Sequence, residues 1–425
     1  MTDITATSFC PSSISARSAP ASSRVLSALV TLIVLLLFTV SGGMLWELGL
    51  NYDGITGAPA SKIHPATYAT VVAFALFVLA RRNPASLVPK LASQRPGSVV
   101  FFFAAISVLA FIVIDRRPGP AGTVDTFILP ILLTWIFAEQ NARSMRSLEL
   151  MLHLLLTFNA LLTLYEFIAG TQLFPYRFEG ELLIDYRPGG LIGHPLTNSV
   201  VTGTYIASLL SGGARLGQLL RPPLIVLQWT ALAAAGGRTA LILITALIGF
   251  QVPRFVLELA TGRRLSLLGW AACTIMPVII GAGIVALHTA GFFDPLVDRF
   301  KDDTGSAQTR VQMFDMFSHL GLRDLLLSPD VALIESLRPA QGLEQGIENP
   351  VIRLVLYQGI AATAALVLGF ILFVREVIRP LRHGCGLPLT FFLAVIMSFE
   401  SLSSKSLLLA QFLVIVLVMF RVARP

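Results

Sequence analysis

The chain has 425 residues, 55% of them apolar and 13% charged, with a mean hydropathy of +0.77. Soluble domains carry about 25% charged residues, so this composition excludes a soluble enzyme and a disordered chain, and unbroken apolar runs exclude a transmembrane barrel, whose strands alternate. The net charge of +7 reads as a topology signal and not as nucleic-acid binding, because most basic residues sit at the ends of apolar runs.

In chain order, residues 1–24 are rich in Ser, Ala, Thr and Pro and read as a disordered cytoplasmic tail. Apolar stretches follow at 25–50, 64–80, 98–114, 124–139, 148–169 and 191–211. Others run at 222–236, 238–252, 266–289, 350–374, 386–401 and 405–420. A helical span needs roughly 20 apolar residues. The expected fold class is therefore all-α, a polytopic integral membrane protein of about 12 transmembrane helices. The expected order is tail 1–24, helices 1–9 in 25–289, a large loop with amphipathic helices at 290–349, and helices 10–12 in 350–425.

Orientation follows from the basic residues. With the N-terminus inside, Arg81, Arg82, Lys90, Arg95, Arg143, Arg146, Arg215, Arg221, Arg375, Arg379, Arg382 and Arg421 share the cytoplasmic side. Both termini are then cytoplasmic. The exception is Asp115-Arg116-Arg117, which this scheme puts outside. Two outer segments are long, 171–190 and 292–349, and loops of that length usually carry function. Residues 309–321 read as an amphipathic helix, with Met313, Phe314, Met316, Phe317 and Leu320 opposed to Arg310, Gln312 and Asp315. No internal repeat is visible, so the inverted-repeat signature of secondary transporters is not evident. Cys10, Cys273 and Cys385 form neither a disulfide framework nor a metal-ligand spacing, and no metal or cofactor is expected.

Charges near spans are costly, about 2.5–3.5 kcal/mol at a helix centre, so those on the outer side need a reason. Arg238 lies in Gly236-Gly237-Arg238-Thr239-Ala240, inside the apolar stretch 222–252. The glycine pair favours a helical hairpin with Arg238 at its outer tip. The side chain either snorkels to headgroups or presents a planar guanidinium to a phosphate. Arg187 and His194 flank glycines in Arg187-Pro188-Gly189-Gly190-Leu191-Ile192-Gly193-His194. This is either a close-approach site for an anionic head group or a turn with a histidine bonded at a helix start. Glu348-Asn349-Pro350 stands where an apolar stretch begins. Glu348 is there either a base of raised pKa or a plain interfacial carboxylate.

In order and spacing, residues 150–420 resemble the O-antigen ligase and Wzy-type polysaccharide polymerase superfamily, in particular VpsF-like exopolysaccharide proteins. The matching pieces are the glycine-rich run 187–196, Gly236-Gly237-Arg238-Thr239-Ala240-Leu241, and Ser306-Ala307-Gln308-Thr309-Arg310, where Arg310 and Gly321 also satisfy an Arg-x10-Gly pattern. The last is Glu348-Asn349-Pro350, at a place where the family often has His-Asn. The resemblance implies a multi-pass protein of the bacterial inner membrane, and metal-independent glycosyl transfer at the periplasmic face. Donor and acceptor would be undecaprenyl-diphosphate-linked glycans, with a chain-length regulator as a further candidate partner. Arg238 and Arg310 would hold the diphosphate, Arg187 and His194 would orient the donor, and Glu348, steadied by Asn349, would activate the acceptor hydroxyl. An O-antigen ligase passing glycan to lipid A is the alternative within the family. A transporter or flippase of lipid-linked sugars is the alternative outside it.

Overall fold

The computed structural model describes residues 20–54, 57–81, 83–178, 181–182, 187–217, 220–261, 306–327, 329–343, 346–399 and 401–421, with isolated positions between 281 and 297. Side chains are described within these except at 20–23, 178, 181, 252–260 and 306–310. The predicted stretch 266–289 and the cysteines Cys10 and Cys273 thus lie essentially outside the described residues.

The helices in chain order are α1 (Pro20–Thr39), α2 (Gly42–Glu47), α3 (Pro65–Leu79), α4 (Leu87–Gln94) and α5 (Pro96–Ile114). Next come α6 (Pro120–Ala138), α7 (Ala142–Ala169), α8 (Pro195–Leu210), α9 (Arg221–Ala235) and α10 (Arg238–Ala260). The long loop holds α11 (Ser306–Asp315), α12 (Leu322–Leu327) and α13 (Val331–Ala340). The chain closes with α14 (Pro350–Ile378), α15 (Gly386–Ile396) and α16 (Leu408–Phe420). A two-residue antiparallel ladder pairs β1 (Arg177–Phe178) with β2 (Glu181–Leu182).

Local chemistry explains where these helices start. Proline opens α3, α5, α8 and α14, where its missing N–H has no intrahelical role. The preceding residue caps α3 (His64), α8 (His194) and α14 (Asn349) through its side chain. Gly170 and Gly236 end α7 and α9 with φ of 63° and 71°, the left-handed conformation glycine adopts freely.

Among the described residues, four helices are long and apolar enough to cross a membrane: α5, α6, α7 and α14. Residues 65–79 and 84–94, bent by 110°, count as a fifth if taken as one span. Among the described residues the architecture is thus helical with four to five candidate spans, consistent with a helical membrane protein. Of the other predicted stretches, 266–289 lies essentially outside the described residues, and the rest form helices whose described apolar parts are shorter, such as Arg24–Thr39 and Arg238–Gln251. At about 1.5 Å per residue, α5 and α6, with 19 residues each, measure about 28 Å, close to a hydrocarbon core of about 30 Å. In contrast, α15 with 11 residues and α16 with 13 measure about 16 and 20 Å.

One end of the bundle is basic. Ser27 bonds Ser144 at 2.7 Å, Arg81 pairs with Glu139 at 3.0 Å, and Arg421 donates to the carbonyls of Phe137 and Ala138. The Ala214 amide bonds the Met419 carbonyl, the Arg382 amide that of Phe420, and the Arg215 amide the carboxylate of Glu149. The Glu376 carboxylate takes Gly97 and Ser98 at the start of α5. The start of α5, α7 and α15 and the end of α3, α6, α8, α14 and α16 therefore meet at this end.

Among the described residues, the apolar side chains form two separate clusters. The larger lies among the bundle helices, with Phe101, Phe127, Ile136, Tyr205, Phe373, Phe392 and Phe412 at its centre. The smaller joins Met313, Met316, Ile334, Leu343 and Ile347 of the long loop to Leu356 and Tyr357 of α14. Gly359, at φ 83° and ψ 163°, breaks α14 between the two clusters. The first turns of α14 thus belong to a cap built by the loop.

Candidate functional site

With helix ends flush at the basic end, the short helices stop well below the opposite ends of α5 and α7. Contacts define the level. The ring of Phe391 in α15 packs on Gly203 of α8, which brings Met397 to the height of the first turn of α8. Gly237 packs on Ser199, also near the start of α8. Asn159 of α7 donates to Asn198 at 2.8 Å, and ten further residues carry α7 on to Ala169, about 15 Å higher. Ser41, just after α1, packs on Gly193. The result is a layer, inside the height of a bilayer core, where the chain is largely non-helical. Irregular backbone at that depth is tolerated only when its polar groups are bonded within the protein or line a polar cavity.

The predicted glycine-rich run forms part of this layer. Glu166, buried on α7, accepts the amides of Gly189 (3.0 Å), Gly190 (2.8 Å) and Leu173 (2.9 Å). Asn159 accepts the amide of Leu191 at 2.9 Å, and Asn198 donates to Thr163 at 3.0 Å. Gly190 has φ 57°, and a Cβ there would sit 2.6 Å from Asn159 Oδ1 and from Thr163 Oγ1. The glycines therefore bring this run, with its short 3-10 turn at Gly190–Ile192, close to α7, with the amides of Gly189 and Gly190 turned to the Glu166 carboxylate. His194 Nδ1 accepts the amides of Leu196 (3.2 Å) and Thr197 (3.4 Å), and its ring meets Tyr176 edge-on at 4.3 Å. The Arg187 carbonyl accepts from the Gln172 side chain.

Arg238 opens α10 immediately after the turn at Gly236. The stretch 222–252 is a hairpin and not one over-long helix: the Trp229 indole donates to Thr245 at 2.9 Å across the turn at Gly236-Gly237. Asn349 caps α14 by accepting from Val351 (3.0 Å) and Ile352 (3.1 Å) and donates to the Met397 carbonyl at 3.5 Å. His194, Arg238 and Asn349, from distant parts of the sequence, thus occupy one end of the bundle, and Arg187 lies in the run packed beside them. Arg187, His194, Arg238 and Glu348 are each engaged by neighbouring groups. The side chain of Arg310 lies outside the described residues. Its helix α11 runs as Ser306–Asp315 and continues as a tighter turn, Met316–His319, so the amphipathic helix expected over 309–321 stops earlier. Met313 and Met316 of its apolar face are buried, while Phe314 is exposed. Met313 packs in the cluster that holds Ile347, beside Glu348.

The polar layer also holds a cluster that the sequence reading missed. Asp125, 1% exposed in a π-helical turn of α6, accepts from Thr67 (2.7 Å), from the Tyr52 hydroxyl (3.0 Å) and from the His64 amide (3.1 Å). Lys405 donates to the Tyr52 carbonyl, pairs with Asp53 at 3.5 Å, and sits 3.3 Å from the centre of the Tyr52 ring. Thr126 accepts the Ser406 amide at 3.0 Å and donates to the Ser404 carbonyl at 2.9 Å. Burial pushes the Asp53 carboxyl above its ordinary range, with the Lys405 ammonium opposing but not cancelling the effect. The available signals were an Asp inside an apolar stretch and a lysine opening the last stretch just after a serine-rich gap. Among the described residues, no group of three His, Cys, Asp or Glu is placed to hold a metal ion.

The apparent exception in the charge pattern, Asp115-Arg116-Arg117, has a tertiary cause. Arg117 is buried, donating to the Tyr357 carbonyl at 2.6 Å and to Asp115 at 2.6 Å, with its guanidinium 4.7 Å from the Phe111 ring centre. It latches the end of α5 to α14 at the Gly359 break, and so is no topology signal.

Taken together, the fold is a helical bundle with candidate membrane spans, consistent with a helical membrane protein, and it carries a polar, irregular layer toward one end. No family model, curated protein or solved structure matches the chain.

Proposed function

We propose that the protein is a bacterial inner-membrane polysaccharide polymerase. It joins undecaprenyl-diphosphate-linked repeats at the periplasmic face, which is the end opposite the basic one. In this reading the polypeptide crosses the membrane twelve times with both termini in the cytoplasm, and residues 290–349 form the periplasmic loop. Arg238 and Arg310 hold the diphosphate leaving group, where negative charge grows in the transition state. Arg187 and His194 orient the donor, and Glu348, beside Asn349, takes the proton of the acceptor hydroxyl.

One observation carries the reading: the segments bearing His194, Arg238 and Asn349 meet in one polar layer away from the basic end. A lipid-linked diphosphate needs such a place, with cations and hydrogen-bond donors reachable from the bilayer but below its surface. The test is Arg238→Ala, with Arg238→Lys alongside, in cells making the glycan. The expected result is loss of polymer with build-up of lipid-linked single repeats. A planar, bidentate role predicts little rescue by lysine. Polymer of normal length would overturn the assignment. Long polymer left unattached would point instead to ligase chemistry, and retention of lipid-linked repeats on the cytoplasmic side to a flippase.

A further inference from the structure

We infer that the short cap helix α12 (Leu322–Leu327) lies in the outer boundary of the bilayer, with its leucines against acyl chains, and so anchors the cap to lipid. The inference rests on the membrane reading of the bundle and not on the glycosyl-transfer proposal.

Helix α5 sets the ruler. Its 19 residues, about 28 Å long, are bounded by Arg95 on one side and Asp115 on the other. It packs along α14 over its whole length. Near the basic end Gly97 meets the Leu372 carbonyl, and Gly369 meets Phe101 part-way along. At the far end Arg117 takes the Tyr357 carbonyl. The end of the apolar core on this side therefore falls at Tyr357–Gly359 of α14, where that helix breaks.

At that height α12 touches α14. A Cβ at Gly359 would lie 3.1 Å from the Leu326 carbonyl oxygen and 3.1 Å from the carbonyl carbon of Leu327. The leucines nevertheless turn outwards: Leu322 is 73% exposed and Leu327 61%, with Leu326 also exposed. The last residues of α5 do the same, Ile114 being 82% exposed beside Val113. Residues 115–118 and 329–332 line one cleft, which places the end of α5 next to the chain leaving α12. The exposed leucines thus continue a surface that already faces lipid. Water at this face would leave several large apolar side chains uncovered at the edge of the bilayer, where burial in the acyl boundary is favourable. Arg323 and Asp324, both exposed, can reach the headgroup layer.

The full-length protein in liposomes tests this, with Cys10, Cys273 and Cys385 replaced and a nitroxide on Leu322→Cys, Leu326→Cys or Leu327→Cys in turn. Phe103→Cys, exposed on the middle of α5, serves as the lipid reference, and Ser336→Cys, exposed on α13, as the cap reference. The expected result is collision with oxygen over a water-soluble nickel complex that approaches the Phe103 value at Leu322 and Leu327 and exceeds the Ser336 value. Ratios equal to that at Ser336 would overturn the inference. Dipolar broadening between copies would also overturn it, because a second chain and not lipid would then cover the face. Three label sites keep the test decisive if one variant fails to fold.

Discussion

The pair α5 and α14 and the pair α15 and α16 begin or end at the same basic end of the bundle, yet only the helices of the first pair continue past the polar layer. In the first pair glycines let two backbones approach, at Gly97 and Gly369, and no polar segment interrupts the apolar run. In the second, the chain from Ser401 to Ser406 carries hydroxyls and Lys405, whose partners are Thr126, Tyr52 and Asp53. Those partners exist only some 20 Å up from the basic end, so the helices stop where the polar segment is satisfied. Length of apolar sequence and length of span are therefore different quantities: the first sets what can enter the bilayer, the second is decided by where polar groups find partners.

This contrast can be broken from either side. The largest effect is expected at the close-packed pair. A Cβ at Gly97 would lie 2.5 Å from the Leu372 carbonyl oxygen, and backbone cannot yield as a side chain can. Gly97→Val should cost about 3 kcal/mol and lower the thermal midpoint in detergent, with activity falling only as the folded fraction falls. On the other side, Lys405→Ala leaves Asp53 half-buried without its cation and should cost about 2 kcal/mol. Combining it with Asp53→Asn should recover a good part of that loss, and additive effects in the double-mutant cycle would show that the pair is not coupled.

Smaller and more local effects are expected in the glycine-rich run. Glu166→Gln weakens an acceptor of three backbone amides and should cost about 1–2 kcal/mol. Its signature is faster proteolysis within 171–190 while the bundle stays intact. The smallest effect is a pH dependence. Because burial raises the folded-state pKa of Asp53, its contribution is fully present below the unfolded carboxylate pKa of about 3.9. It is lost as pH rises through the raised value. Stability measured against pH should therefore carry a component that falls as pH rises above the ordinary carboxylate range, and Asp53→Asn should remove it.

Much of the helix framework was legible because apolar runs, helix-opening prolines and glycine turns act locally. The hairpin around Gly236 and the capping residue His194 are of this kind. What was not legible depended on distant partners. The ends of α15 and α16 are set by Thr126 and Tyr52, hundreds of residues away. Arg117 looked like a misplaced topology signal because its acceptor, the Tyr357 carbonyl, lies 240 positions on. For the glycine-rich run, the sequence suggested close approach to something, and the structure identifies α7, through Glu166 and Asn159, as what is approached. The break at Gly359 shows in sequence only as one glycine within a long apolar stretch.

Sidedness is the most direct test of the central claim, that distant segments bring His194, Arg238 and Asn349 to one layer facing away from the basic end. Single cysteines at these positions, and at Arg143 as a reference for the basic end, would be treated with a charged, membrane-impermeant thiol reagent in right-side-out and inverted vesicles. The account predicts that all three react from one side and Arg143→Cys from the other. Reaction of the three from different sides, or from the side of Arg143, would contradict it.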